Sequence, residues 1–361
     1  MNVEQLKTIY QSVEMRLSRI DFETIWPGFA PVDFALYTPE KMYFQGELAA
    51  RPQGFMGNTA IEYEGAFIAI WNMMYTKITG EESLDLLASK LVHEMFHAFQ
   101  KQQGETRFPD DLDLLLYPLD EKLIALTRRE SAILSDPAVY AGHSPTKAME
   151  GLRSIVSIRA DKTRVCPSAT NHEHRAETFE GLAEYAGLRG LFQINPKLAN
   201  ENVQEYRQHL RDDKYLFDIR RRCYYSGALI ALLAQAAGLT VSHSLRSEHT
   251  FWDLLDVRAA AIDPLRPDDL CEAHSLATKE RDRRRQLLES FKARADQERP
   301  MDAAIVGYDP MNLTRIDDYL ISTHFLMIDD GVTPLPLMGD HLVRMKRGDP
   351  RRVVAVLFGS S

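Results

Sequence analysis

The chain has 361 residues, which is long enough for two or three lobes and a sizeable core. Its formal net charge of −9 argues against a nucleic-acid partner or an anionic membrane surface. The 3 cysteines lack ligand-like spacing, and the first residues do not form a secretion signal. No apolar run approaches the ~20 residues that a membrane span needs. These features predict a cytoplasmic protein without a membrane or nucleic-acid partner.

Residues 1–105 are predicted to form an N-terminal lobe of helix and sheet. Residues 3–20 have the spacing of an amphipathic helix, and two runs at 32–37 and 60–72 are rich in β-formers. We interpret the end of the second run, Ile68–Asn72, as a strand that precedes the next helix.

The next predicted helix is strongly specified. Thr79 and Glu82 have the spacing of a capping box, leucines then recur at helical spacing, and Gly104 marks the expected end. An apolar stripe of this kind packs into a core, so that the opposite face of the helix can line a cleft.

This helix carries an H-E-x-x-H pattern, formed by His93, Glu94 and His97. Residues four apart lie on one face of a helix, so both imidazoles are expected to aim at one point. That is the arrangement of two of the three protein ligands of a catalytic zinc ion. Glu94 would stand beside the open position, where it can take a proton from a water molecule. The alternative is an ordinary helix that carries two histidines.

Residues 106–299 are predicted to form a helical lobe. Helices are expected from 118 to about 135 and from 144 to about 161, so the long segment 98–176 is interpreted as inserted helices that line the cleft. The basic segment 276–294 is interpreted as a solvated helix face.

A further predicted helix in this lobe is acidic on one face, where Glu177, Glu180 and Glu184 meet. Carboxylates that only faced water would repel one another, and a divalent cation would remove that penalty. Glu180 then offers a third metal ligand, and Glu184 can hold the free N–H of a ligand histidine. The alternative is a solvated acidic face. His172 and His174 precede this helix and are expected in an exposed loop; the alternative is that they reach the cleft as oxyanion donors or substrate contacts.

Two elements follow towards the C-terminus. Tyr224 and Tyr225 open a predicted helix that runs to about residue 237, where they either pack the helix start or offer a phenol to the site. Residues 300–361 alternate strand-like runs with turns, which predicts a small C-terminal β appendage.

The H-E-x-x-H pattern together with F-E-G-L-A-E-Y at 179–185 resembles the gluzincins, the zinc metallopeptidases that include thermolysin-like enzymes and membrane alanyl aminopeptidases. The segment around Tyr224 resembles the part of the aminopeptidase-like members that carries an oxyanion-stabilising tyrosine. The resemblance implies that His93, His97 and Glu180 bind zinc and that Glu94 is the general base. It also implies that the Glu184 carboxylate supports a ligand histidine and that Tyr224 donates a hydrogen bond to the oxyanion.

The resemblance also implies how a peptide binds. In gluzincins the strand ahead of the active-site helix is a sheet edge that pairs with the substrate backbone, which would make Ile70 and Asn72 substrate-binding residues. The alternative is an ordinary core strand. No G-x-M-E-N segment, which captures a free amino terminus in the aminopeptidases, precedes His93. The expected cleavage is therefore internal.

The sequence thus predicts an α+β, mainly helical fold with a zincin-type lobe and a small mixed sheet. The predicted function is a peptidase of endopeptidase or oligopeptidase type that uses one Zn²⁺ per chain and acts on a peptide substrate. A zinc hydrolase of a non-peptide amide and a non-catalytic binding protein of the same fold are the alternatives. The oligomeric state is left open.

Overall fold

The computed structural model describes residues 2–140 and 145–358. The fold is α+β and mainly helical with two separate sheets, which confirms the predicted class. Within those two ranges no helix is both long enough and apolar enough to cross a membrane.

The N-terminal lobe packs two helices against a mixed five-stranded sheet of order β3-β2-β1-β5-β4, in which only β1 and β5 run parallel. Its elements are α1 (Val3–Leu17), β1 (Phe34–Tyr37), β2 (Lys41–Phe44), β3 (Glu47–Ala50), β4 (Thr59–Tyr63), β5 (Ala66–Asn72) and α2 (Glu81–Gln102). Side chains alternate across β1: Phe34 and Leu36 join the core of α1 and α2, while Ala35 and Tyr37 join a second cluster.

The interpretation of Ile68–Asn72 as a sheet edge was wrong. Strand β5 pairs with β1 on one side and with β4 on the other, and Ile70 is fully buried in the cluster that excludes α2. The backbone N–H of Asn72 is also occupied, because it donates to Asn58 Oδ1 at 2.8 Å. The run 60–72 forms two strands and not one, because Glu64 and Gly65 adopt positive φ angles of 51° and 82° in a tight turn. The edge strand beside α2 is therefore β4.

The start of α2 also differs from the prediction. Ser83 Oγ accepts hydrogen bonds from the backbone N–H groups of Thr79 (2.9 Å) and Gly80 (3.1 Å), so Ser83 and not Glu82 closes the first turn. The predicted end is close: α2 stops at Gln102, and Gly104 follows with a φ of 78°, a conformation that glycine adopts without strain.

The middle of the chain is helical, as predicted. Its helices are α3 (Asp111–Leu114), α4 (Glu121–Ser135), α5 (Pro145–Val165), α6 (Pro167–Ala176), α7 (Leu182–Ile194), α8 (Pro196–Arg211), α9 (Ile219–Ala236), α10 (Phe251–Leu254) and α11 (Pro267–Arg294). Ser144, the predicted start of one helix, lies outside the described residues. His172 and His174 lie on α6 and not in an exposed loop, and His174 is buried beside Trp252.

Helices α6 and α7 are joined by a turn of π-helix over Glu177–Gly181. The extra residue of this turn rotates Glu177 away from the face of Glu180 and Glu184. Glu177 instead forms an ion pair with Arg159 through two hydrogen bonds of 2.7 Å and accepts a third from Ser226. The expectation that all three carboxylates share one face was therefore wrong for Glu177.

Glycines let α7 lie unusually close to its neighbours. A Cβ atom on Gly227 of α9 would lie 2.8 Å from Gly181 Cα and 2.9 Å from the carbonyl oxygen of Glu177. A Cβ atom on Gly187 would lie 2.7 Å from the carbonyl oxygen of Ser89 on α2. Only glycine, which has no Cβ atom, allows contacts this close. They bring α7 within side-chain reach of both α2 and α9.

We expect Gly227→Ala to destabilise the fold by about 1–3 kcal/mol, because the added methyl group meets backbone atoms that cannot rotate away. The matched control is Gly151→Ala in α5, where the nearest atom to the added Cβ is a side-chain carbon at 3.4 Å. That change should be neutral or stabilising, by up to about 1 kcal/mol. Urea unfolding of both variants checks this, and equal midpoints for Gly227→Ala and wild type would contradict the close contact.

The C-terminal unit is a seven-stranded antiparallel sheet of order β10-β9-β6-β12-β11-β8-β7. Its strands are β6 (Gln297–Tyr308), β7 (Leu313–Ile316), β8 (Tyr319–Ser322), β9 (Phe325–Asp329), β10 (Leu335–Met338), β11 (His341–Met345) and β12 (Arg352–Phe358). Leu112 of α3 is buried in the core of this sheet, and Arg351 forms an ion pair with Asp110 at 2.5 Å. These contacts join the sheet to the segment that leads into the helical lobe.

Candidate metal centre

Three side chains converge where α2 meets α7. His93 Nε2 and His97 Nε2 lie 3.1 Å apart, and Glu180 Oε2 lies 3.1 Å from His97 Nε2 and 3.7 Å from His93 Nε2. All three residues are at most 6% exposed. Among the described residues this trio is the group of histidine, cysteine and acidic side chains that can hold a metal ion.

The hydrogen bonds of the two Nδ1 atoms determine whether the Nε2 atoms carry a proton or a lone pair. His93 Nδ1 lies 2.9 Å from Glu184 Oε2, and His97 Nδ1 lies 2.8 Å from Gln100 Oε1. The Gln100 amide is oriented by its N–H donation to the carbonyl oxygen of Phe179 at 3.1 Å. Both partner oxygens can only accept, so each neutral imidazole carries its proton on Nδ1 and presents a lone pair on Nε2.

Two lone pairs and a carboxylate oxygen therefore point at one another without a donor between them. Ligand bonds of about 2.0–2.1 Å in a tetrahedral zinc site separate the donor atoms by about 3.3–3.4 Å, close to the separations found here. Without a metal ion a proton must fill this role. Burial lowers the pKa of His93, but hydrogen bonds with Glu180 and Glu184 outweigh burial and raise it to about 9. The donor set fits a metal ion, which His93, His97 and Glu180 would hold with three ligand atoms.

The second carboxylate oxygen of Glu180, Oε1, is held by an arginine. Arg220, in the first turn of α9, donates to Glu180 Oε1 at 2.6 Å and forms an ion pair with Asp111. Glu180 is therefore oriented to offer only Oε2 to the metal position. The sequence patterns did not indicate a role for Arg220 or Asp111 at this centre. The available signal was that Arg220 lies one helical turn before Tyr224.

Glu184 stands behind His93, as the resemblance implies. Its second oxygen accepts hydrogen bonds from Lys90 Nζ at 2.8 Å and from the hydroxyl of Tyr206. Burial raises the pKa of Glu184, but the nearby ammonium of Lys90 and the hydrogen bond to His93 outweigh it and hold the pKa well below its usual range. Glu184 is therefore ionised and fixes the Nδ1 tautomer of His93.

Glu94 is buried beside the three donors but is not committed to any partner. Its side chain forms no hydrogen bond or ion pair with another residue in 2–140 or 145–358. Burial raises its pKa, and the positive charge that His93 and His97 can carry opposes that shift. An unpaired, buried carboxylate beside residues that would hold a metal ion has the properties that a general base requires.

The structure brings Tyr224, and not Tyr225, to this centre. The Tyr224 ring stacks on His93 with a centroid distance of 5.7 Å and an interplanar angle of 9°, and its hydroxyl accepts from Arg220 Nη2 at 3.2 Å. Tyr225 instead stacks on Tyr206 at 4.4 Å. Burial raises the pKa of Tyr224 well above its ordinary value, so the phenol keeps the proton that it would donate to an oxyanion.

We expect Glu184→Gln to weaken metal binding by about 10–100-fold, since it removes the charge that holds the His93 tautomer and leaves Lys90 without its counter-ion. The matched control is Glu201→Gln on α8, where the carboxylate is exposed. Competition with a chelator measures both affinities. The same affinity in Glu184→Gln and wild type would show that this carboxylate does not support the site.

Comparison of the chain with models of known protein families, with curated proteins and with solved structures gives no match. The chemistry of the centre is therefore inferred from its own residues.

Proposed function

We propose that this protein is a zinc-dependent peptidase of the gluzincin type. The observation that carries the proposal is the pair of Nε2 lone pairs and one carboxylate oxygen at tetrahedral separations, with the unpaired Glu94 beside them. Two histidines and one glutamate form a ligand set of catalytic zinc sites, whereas structural sites use four protein ligands. The described residues offer no fourth ligand at this centre, which favours a catalytic role.

Each residue around the centre has a role in peptide hydrolysis under this proposal. When bound, zinc supplies Lewis acidity, which polarises a carbonyl group and lowers the pKa of a water molecule. Glu94 takes the proton from the attacking water and returns it to the leaving amine. Tyr224 donates its phenol proton in a hydrogen bond to the oxygen that becomes negative. Arg220 keeps Glu180 oriented, and Glu184 does the same for His93.

Edge strand β4 supports a peptide substrate in particular. It packs against α2 and has a neighbour on only one side, so an extended peptide can pair with its free backbone groups. The ring of Phe179 stacks on that of His97 with a centroid distance of 4.5 Å, and the exposed Phe108 packs edge-on against Phe179 at 4.9 Å. These two rings offer an apolar wall for a substrate side chain.

Digestion of matched N-acetylated and free peptides, followed by mass spectrometry, tests the proposal. We expect internal cleavage of both forms, because no pocket for a free amino terminus is indicated by the sequence. The deeply buried donors favour short or unfolded peptides over folded proteins. Stepwise loss of N-terminal residues from the free form alone would make the protein an aminopeptidase. No cleavage of any peptide by zinc-loaded protein would overturn the peptidase proposal and favour a non-peptide amide substrate or a binding role.

A further inference from the structure

Lys101 lies in the last turn of α2, on the same side of the helix as the catalytic pattern. It follows His97 by four residues and Glu94 by seven, so the three side chains form one stripe along the helix. The side chain is half-buried, and its Nζ donates a hydrogen bond of 2.6 Å to the carbonyl oxygen of Ala60. Since Ala60 belongs to edge strand β4, the ammonium group lies against the edge of the sheet, and it is near enough to Glu94 and Glu180 for their charges to act on it.

The charge of Lys101 is not matched by a carboxylate, unlike the other cations of the centre. Lys90 forms an ion pair with Glu184, and Arg220 pairs with Glu180 and Asp111. Lys101 forms no ion pair within the described part of the chain. An ammonium group has three N–H donors, and the Ala60 carbonyl uses one of them. Burial lowers the pKa of Lys101, although Glu94 and Glu180 oppose this shift, so burying the ammonium has a cost that an anionic ligand would offset.

The charge balance of the loaded centre leads to the same conclusion. The carboxylates of Glu94 and Glu180 together balance a divalent cation, which leaves the positive charge of Lys101 in excess. An ammonium group with unmatched positive charge at half-buried depth attracts an anionic group more strongly than a neutral one.

We propose that Lys101 is a specificity-determining residue that binds a carboxylate of the peptide substrate. The carboxylate is either the C-terminus of the substrate or an acidic side chain close to the cleaved bond. This inference deepens the proposed peptidase function and depends on it. A peptide paired with β4 passes the Ala60 carbonyl, where the two remaining N–H groups of Lys101 are within reach of such a carboxylate.

The test uses N-acetylated peptides of one core sequence in matched pairs. One pair compares a free C-terminal carboxylate with its amide, and the other compares a glutamate side chain with glutamine next to the cleaved bond. For wild-type protein we expect kcat/KM to favour the carboxylate member of at least one pair by roughly 10-fold or more, the size of a hydrogen bond to a charged group. The pair that shows the preference identifies the source of the carboxylate.

Variants of Lys101 separate recognition from support of the fold. In Lys101→Met and Lys101→Gln the carboxylate-to-neutral ratio of kcat/KM should fall to about 1, whereas Lys101→Arg should retain a preference. Lys122→Met, which removes an exposed lysine of α4, controls for the change in net charge and should leave the ratio at its wild-type value. A structural role for Lys101 would change both members of a pair alike and would not move the ratio.

A binding experiment tests the role of Lys101 without requiring that the protein cleave the peptide. Zinc-loaded Glu94→Gln protein, with and without Lys101→Met, is titrated with the fluorescein-labelled peptides and followed by anisotropy. Tighter binding of the carboxylate member that is lost with Lys101 supports the inference even if wild-type protein cuts no peptide. Equal kcat/KM within both pairs, or a preference that survives in Lys101→Met and Lys101→Gln, would overturn the assignment of Lys101 and leave the peptidase proposal standing.

Discussion

Glu94→Gln is expected to keep its metal ion and to lose peptide hydrolysis by at least about 10²–10⁴-fold, the range for the loss of a general base. Glutamine has almost the same shape as glutamate but cannot accept the proton of the attacking water. The three metal donors are left intact, and Glu94 has no hydrogen bond or ion pair within the described ranges that the change would break. Elemental analysis and initial rates on a quenched fluorescent peptide measure the two expectations on the same sample.

The matched control for this variant is Glu82→Gln, which makes the same chemical change in the exposed first turn of α2. Its metal content and hydrolysis rate should equal those of wild type. Wild-type turnover in purified Glu94→Gln would assign proton removal to another group. Loss of the metal in this variant would instead place Glu94 among the ligands, a result that its position beside the donor trio does not favour.

The part of the site that the sequence predicts best is the part that local geometry determines. Helical periodicity alone places His93 and His97 on one face of α2, and it places Glu180, in the π-helical turn, on the same face as Glu184 of α7. The family resemblance then pairs the two faces, and the structure places Glu180 Oε2 beside both histidines.

Helical periodicity does not predict which residues share a face where an α-helix changes into a π-helical turn. A regular α-helix would put Glu177 on the face of Glu180, but the π-helical turn over Glu177–Gly181 adds one residue and turns Glu177 towards Arg159. The physical cause is a pair of long-range contacts, since Gly181 and Gly227 bring two helices into backbone contact at this turn. No pattern within a single helix contains that information.

A second group of errors and omissions concerns partners that are distant in sequence. The run 60–72 shows β-propensity but not its neighbours, so β5 could not be distinguished from an edge strand until its pairing with β1 was known. Arg220 reaches Asp111 over 109 positions, and Lys101 reaches Ala60 over 41. Contacts of this kind depend on the assembled fold, and each of them lies next to the proposed site.

Glu180→Ala and His97→Ala are expected to lose the bound metal, whereas wild-type protein should carry about one zinc ion per chain. Each change removes one of the three proposed ligands and leaves two, which would not hold zinc at the low free zinc concentration of a dialysed sample. Elemental analysis after dialysis measures the metal content. Thermal unfolding of the same samples shows whether the fold persists without the ligand side chain.

Glu177→Gln provides the contrast that makes this result specific to the donor set. Glu177 lies three residues before Glu180 and is equally buried, but its carboxylate is bound to Arg159. Removal of one partner from a buried ion pair costs up to about 3–5 kcal/mol, and less where a second carboxylate, here Glu130, remains on the arginine. Glu177→Gln should therefore keep its zinc and lose stability. Full zinc content in Glu180→Ala, together with metal loss in Glu184→Ala, would identify Glu184 as the third ligand. Glu180 would then be a partner of Arg220 alone.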